Sequence, residues 1–191
     1  MRYASTGAAR SALRIIEGGL SQVRQAPLAG VRPTSALWWG GMAANLLSAA
    51  VLMLRGRQES TTLGPINAVS HWAFGKEALQ QDDATLRHTA TGAAIHAGSS
   101  LFWAALYDFV VVKPLLRRQP VASEPMAAAA PLLVGAAAVA TVAAAVDLKL
   151  VPERLTPGFQ HRLSNTSLVL TYAAFGVGLA VGGLLQLRGR R

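Results

Sequence analysis

Residues 86–112 read LRHTATGAAIHAGSSLFWAALYDFVVV, a run charged only at Arg87 and Asp108. About 20 helical residues cross the hydrocarbon of a bilayer, so this run is long enough to span one as a helix. A core helix of a soluble protein keeps one polar side facing water, and this run has only a narrow polar stripe. Residues 36–54, 126–146 and 168–187 are comparably poor in charge. The pattern predicts an all-α integral membrane four-helix bundle, with short interfacial helices in its connections. The expected organisation is a basic segment at 1–35, a four-span domain at 36–187 and a basic tail at 188–191.

Composition agrees with that reading. Hydrophobic residues make up 52% of the chain and charged residues 14%, against about 25% charged in an ordinary soluble domain. A net charge of +9 raises the question of nucleic acid, but its placement answers to topology instead. Segments 1–35, 113–125 and 188–191 hold eleven of the 18 basic residues and two of the nine acids. Basic residues gather on the cytoplasmic side of spans. Both termini are therefore expected in the cytoplasm, connections 55–85 and 147–167 outside, and no nucleic-acid partner. In the N-terminal segment Leu13, Ile16, Leu20 and Val23 recur at helical spacing among Arg10, Arg14 and Arg24. Such a helix lies on the inner membrane surface and is drawn to anionic lipids. The chain has no cysteine, which removes disulfides, thiolate metal sites and c-type haem attachment.

The chemistry available to the spans is concentrated in one stripe. His88, Gly92, His96, Ser99 and Trp103 follow at steps of 4, 4, 3 and 4, and so occupy one helix face. Polar groups within a span face the bundle interior. Gly41, Asn45 and Ser48 share a face of the first span. At 1.5 Å per residue, His96 and Asn45 lie about 15 and about 14 Å below the outer ends of their spans, so a hydrogen bond between them is expected. Thr141 and Tyr172 fall in the same outer half, while His71, Trp72 and His161 belong to the outward connections. Those connections are expected to close over the bundle mouth, with His71 and Trp72 near His161. Gly64-Pro65 opens a helix expected to run to Phe74, and Thr156-Pro157-Gly158-Phe159 reads as a type II turn. Ala174, Gly178 and Gly182 recur at steps of four, a face for helix contact within the bundle or between copies in a homo-oligomer.

Three functional readings follow from the stripe. In the first, the polar groups hold the bundle together and the protein is a structural or interaction component. No enzyme is expected, since no nucleophile–base pair stands at interpretable spacing, and no cofactor. The second is a haem b or metal site using His88 or His96. The two lie about 12 Å apart along one helix, so a single iron would need one of them with His71, His161 or a second copy. The third is a small-solute or proton pathway in a dimer, a reading weakened by the lack of Asp, Glu or Lys at mid-membrane.

GPINAVSHWAFG (64–75), LRHTATGAAIHAGSSLFWAALYD (86–108) and PERLTPGFQHRLS (152–164) resemble stretches of small inner-membrane proteins of Gram-negative bacteria for which no activity is established. The resemblance covers about 36–187, the part that carries the spans. It implies a multi-span protein of a bacterial cytoplasmic membrane, and no residue role comes with it.

Overall fold

Long apolar runs without prolines or glycine pairs in their middles become long helices, and the charged ends overrun the bilayer core. The computed structural model describes residues 35–118 and 125–188. Contacts divide the chain into a unit at 1–32 and another at 33–191; the second is described here. The expected N-terminal surface helix with its lipid contacts, and residues 189–191 of the basic tail, lie outside the described residues. Among these residues all regular structure is helical. The principal helices are α1 (Ser35–Glu59), α2 (Gly64–Val69), α3 (Thr91–Tyr107), α4 (Pro125–Ala145) and α5 (Asn165–Arg188).

Wide π-helical turns extend two of them. One at Leu86–Ala90 leads into α3, one at Asp108–Val112 follows it, and one at Val146–Leu150 prolongs α4. Four helical rods are long and apolar enough to cross a membrane: Leu37–Glu59, Leu86–Arg117, Ala129–Leu150 and Asn165–Arg188. Only 28%, 33%, 28% and 50% of their most apolar windows are buried within the protein. The rest turns apolar side chains outward, among them Leu46, Met53, Phe102, Val134, Val169 and Val177. A soluble monomer rarely exposes contiguous apolar area of that extent. The chain is a multi-pass membrane protein whose perimeter meets lipid.

α1 packs most extensively on α5; α3 also packs on α1, α4 packs on α5, and α3 and α4 touch each other. The α1–α5 seam is built from small residues, which let backbones approach in lipid. Gly178 lies against the Ala44 backbone and Gly182 against Gly40, while Gly41 faces Leu101 and Ala104 of α3. Ala174 is half-buried on α5. The small-residue face of α5 is thus occupied within the chain.

Two apolar clusters stack along the bundle. One, toward the end where α1 begins and α5 finishes, gathers Trp103, Tyr107, Leu132, Ala136, Phe175 and Leu179. The other lies at the loop end, where residues 60–85 and 151–164 connect the spans, and combines Leu52 and Leu168 with Ile66, Val69, Phe159 and Leu163 from the connections. The expected helix from Pro65 to Phe74 breaks at Ser70 into α2 and a short turn at His71–Phe74. All six residues of α2 are buried, so it inserts into the loop end of the bundle rather than lying on its surface. Gly92 permits this, because a Cβ there would collide with the Ile66 carbonyl.

A candidate site beneath a folded cap

The two connections form a cap held by a network of side-chain hydrogen bonds. Asn67, fully buried on α2, donates through Nδ2 to the Gln81 and Asp83 carbonyls (3.0 Å each) and accepts from Thr89 Oγ1 at 2.8 Å. Thr85 caps the turn below it, accepting from the His88 amide at 3.0 Å. Trp72 Nε1 donates to the Thr156 carbonyl at 2.7 Å, tying the first connection to the second. His71 is buried with Nδ1 2.8 Å from the Ala68 carbonyl and Nε2 3.3 Å from the Glu153 carbonyl. Gly158 adopts φ +82° in the expected turn, and a side chain there would strike Ala68 O. Arg162 reaches across to Asp82 and to the Leu79 carbonyl. On the other side Glu59, at the end of α1, accepts from the Ser164 amide (2.7 Å) and from Ser167 Oγ (2.7 Å) at the start of α5. An anion is stabilised at a helix N-terminus by its unpaired N–H groups. His161 is exposed and shares an outer groove with His71.

Under the cap, at the seam between the two apolar clusters, lies a cavity of about 50 Å³. Val69, Trp72 and Phe159 line it from the cap, and Trp103, Ala143 and Phe175 from the spans. Its polar lining is contributed by four rods: Ser48 from α1, His96, Ser99 and Ser100 from α3, Asp147 beyond α4, and Thr171 with Tyr172 from α5. His96 Nε2 lies 2.9 Å from Ser48 Oγ. The Ser48 hydroxyl donates its only hydrogen to the Ala44 carbonyl at 2.7 Å, so the imidazole donates and Nδ1 of the neutral ring is left an acceptor. Tyr172 Oη donates to Asp147 Oδ2 at 3.0 Å, and Thr171 Oγ1 to its own helix at the Ser167 carbonyl.

His96 meets the Ser48 hydroxyl and the Asn45 backbone carbonyl; the Asn45 side chain itself is half-buried and does not line the cavity. The reason is depth. α1 runs on to Glu59 rather than ending at 54, which puts Ser48 about 16 Å below the loop end of its rod, level with His96 at about 15 Å. Thr141 faces outward and donates to its own helix at Ala137 O. His88 is buried higher up, 3.1 Å from Ser70 Oγ and edge-on to Phe74. The four histidines therefore do not converge. His96 lines the cavity, His88 and His71 belong to the cap, and His161 is exposed. Among the described residues no three His, Asp or Glu side chains come together as a metal site.

Asp147 is the cavity residue that the charge pattern concealed. Cutting the third span at 146 assigns Asp147 to a connection, yet Leu148, Leu150 and Val151 continue the apolar pattern, and the helix runs on to Leu150. Asp108 sits at the other end of the bundle, its side chain 4% exposed, with Lys113 Nζ at 2.9 Å. A π-helical turn aligns residues five apart, and this pair is five apart.

No family model, curated protein or solved structure matches this chain. What the site does is read from its own geometry.

Proposed function

We propose that this is a non-catalytic, multi-pass component of a bacterial cytoplasmic membrane, acting through structure or interaction, with the polar stripe holding a capped bundle together. The observation that carries this reading is the direction of the two serine–histidine pairs. In a catalytic pair the histidine takes the serine proton. Here each serine hydroxyl lies 2.7 Å from a nearby backbone carbonyl, Ala44 for Ser48 and Asn67 for Ser70, and a hydrogen placed there makes the imidazole the donor to its serine. Both pairs are arranged for packing. The bundle also lacks a path through it: below the cavity Trp103, Tyr107, Leu132, Phe175 and Leu179 fill the interior, which argues against a conduit within one chain.

The excess of basic residues at the terminal side supports an orientation with both ends in the cytoplasm. Three measurements test the proposal. A serine-reactive fluorophosphonate should leave the protein unlabelled, and labelling of Ser48 or Ser70 would overturn the non-catalytic reading. Absorption spectra of the purified protein, oxidised and reduced, with metal analysis of the same sample, should show neither a Soret band nor stoichiometric metal. Either signal would make His88 or His96 a ligand. A C-terminal reporter active only outside the cytoplasm should stay silent.

A further inference from the structure

Asp147 is a charge without a counter-ion. Five ion pairs join described residues, and none includes it. Lys149 is exposed, and two residues along a helix places it on the opposite side from Asp147. The carboxylate lines the cavity with one hydrogen-bond donor, Tyr172, and it is the only charged residue in that lining. Asp147 is half-buried, and a carboxylate partly screened from water by an apolar wall attracts an opposite charge more strongly than one in bulk solvent. The other fixed polar groups around the cavity are acceptors too. Ser48 and Thr171 have placed their hydrogens on backbone carbonyls, and His96 has placed its own on Ser48. Ser99 and Ser100 add hydroxyls that rotate to suit an occupant. The remaining wall is apolar, with five aromatic side chains, Trp72, Trp103, Phe159, Tyr172 and Phe175, beside four aliphatic residues.

We propose that this cavity is a binding site for a small monovalent cation of the ammonium class, ammonium or methylammonium, seated against the Asp147 carboxylate and the aromatic wall. Each feature of the site narrows the ligand. Acceptors with an anionic centre select a cation that carries N–H donors. Aromatic faces attract such a cation electrostatically. Calcium and magnesium require about six oxygen ligands, which one carboxylate and a few hydroxyls do not supply. A cavity of about 50 Å³ is far below the roughly 300 Å³ of a drug-sized pocket. It holds only a few water-sized groups. This inference goes beyond the packing role, since the cap network would hold the bundle whether or not the cavity is filled.

Trp72 and Trp103 line the cavity and report on it directly. The experiment is a tryptophan-fluorescence titration of the full chain in lipid nanodiscs with methylammonium chloride. Sodium chloride serves as the control at matched ionic strength, and the thermal midpoint is followed in parallel. A saturable change with methylammonium alone, and a midpoint that rises with its concentration, is the expected result. Asp147→Asn should weaken the apparent affinity at least about tenfold, the loss of one charge contact. Ser99→Leu, which fills the cavity and leaves Asp147 intact, should abolish saturation even if Asp147→Asn proves unstable. An equal response to sodium chloride, no saturable response, or unchanged titration in Ser99→Leu would overturn the site and leave a cavity that holds water only. The fluorophosphonate and spectral tests above are untouched by any of these outcomes.

Discussion

The two ends of this bundle are held by different physics. Toward the start of α1 and the end of α5, helices meet through glycine, alanine and leucine, with a buried bond from Tyr107 Oη to the Leu132 carbonyl at 2.9 Å. At the loop end an inserted helix joins the spans, and its fit depends on Asn67, Ser70, His71 and Trp72 each finding a partner. Lipid explains the contrast. A span has no hydrophobic reason to leave lipid for another span, so close backbone approach supplies the attraction. A short buried helix such as α2 brings backbone and side-chain polar groups with it, and each must be satisfied where it lands. The cavity sits where these two solutions meet.

The sharpest way to break the small-residue end is to enlarge Gly178. Gly178→Leu drives a side chain into the Ala44 backbone, which cannot move without parting α1 from α5. The expected cost is about 3 kcal/mol, the upper part of the range for overpacking. It should appear as a large fall in the thermal midpoint in detergent or as loss of the monodisperse peak. A variant as stable as the parent would mean that α1 and α5 are not in contact. At the loop end, Asn67→Ala removes a buried amide that serves two carbonyls and one hydroxyl. Orphaned buried groups cost about 1–3 kcal/mol, so a loss of about 2 kcal/mol is expected. Protease nicking within residues 76–85 should rise with it, a readout that Gly178→Leu need not share.

Much of this architecture was readable before any coordinates, because lipid imposes simple rules. Four charge-poor runs give four rods, and the step of four at Gly178 and Gly182 points to a close seam. What escaped was the third dimension of the connections. GPINAVS carries no charge, which fits an interfacial helix as well as a buried one. Only the matching absence of a Cβ at Gly92 and Gly158 shows that α2 sinks between α3 and the second connection, and glycine partners separated by tens of residues are not paired by periodicity. The His96 partner was missed for a different reason. Counting depth from the last apolar residue, rather than the last helical one, shifts a rod by five residues, enough to exchange Asn45 for Ser48. The same rule hid Asp147. Charge marks where lipid ends, not where the helix does.

Ser48→Ala sharpens the comparison at the seam itself. It removes the Ser48 hydroxyl from His96 while the Asn45 carbonyl stays beside it, and the expected loss is about 1 kcal/mol. Interhelical hydrogen bonds in membranes average about 0.6 kcal/mol because the separated helices find other partners, so a value well above 2 kcal/mol would show that the imidazole is charged. Least affected should be the outer rim. Lys76 and Glu153 approach to 3.5 Å with side chains 83% and 69% exposed, and exposed pairs contribute roughly 0–1 kcal/mol. Lys76→Ala is therefore expected to change the thermal midpoint by less than the scatter of replicate scans at physiological salt. Its value lies in what it isolates. The cap joins its two connections by this surface pair, by Arg162 to Asp82 and the Leu79 carbonyl, and by bonds from His71 and Trp72, and of these the Lys76–Glu153 pair is the most open to water and counter-ions. If Lys76→Ala opened the cap to proteolysis as Asn67→Ala does, the surface charges would be holding the connections together. Cap stability would then fall with added salt, and the contrast between a dry seam and a hydrogen-bonded lid would have to be redrawn as one between packing and electrostatics.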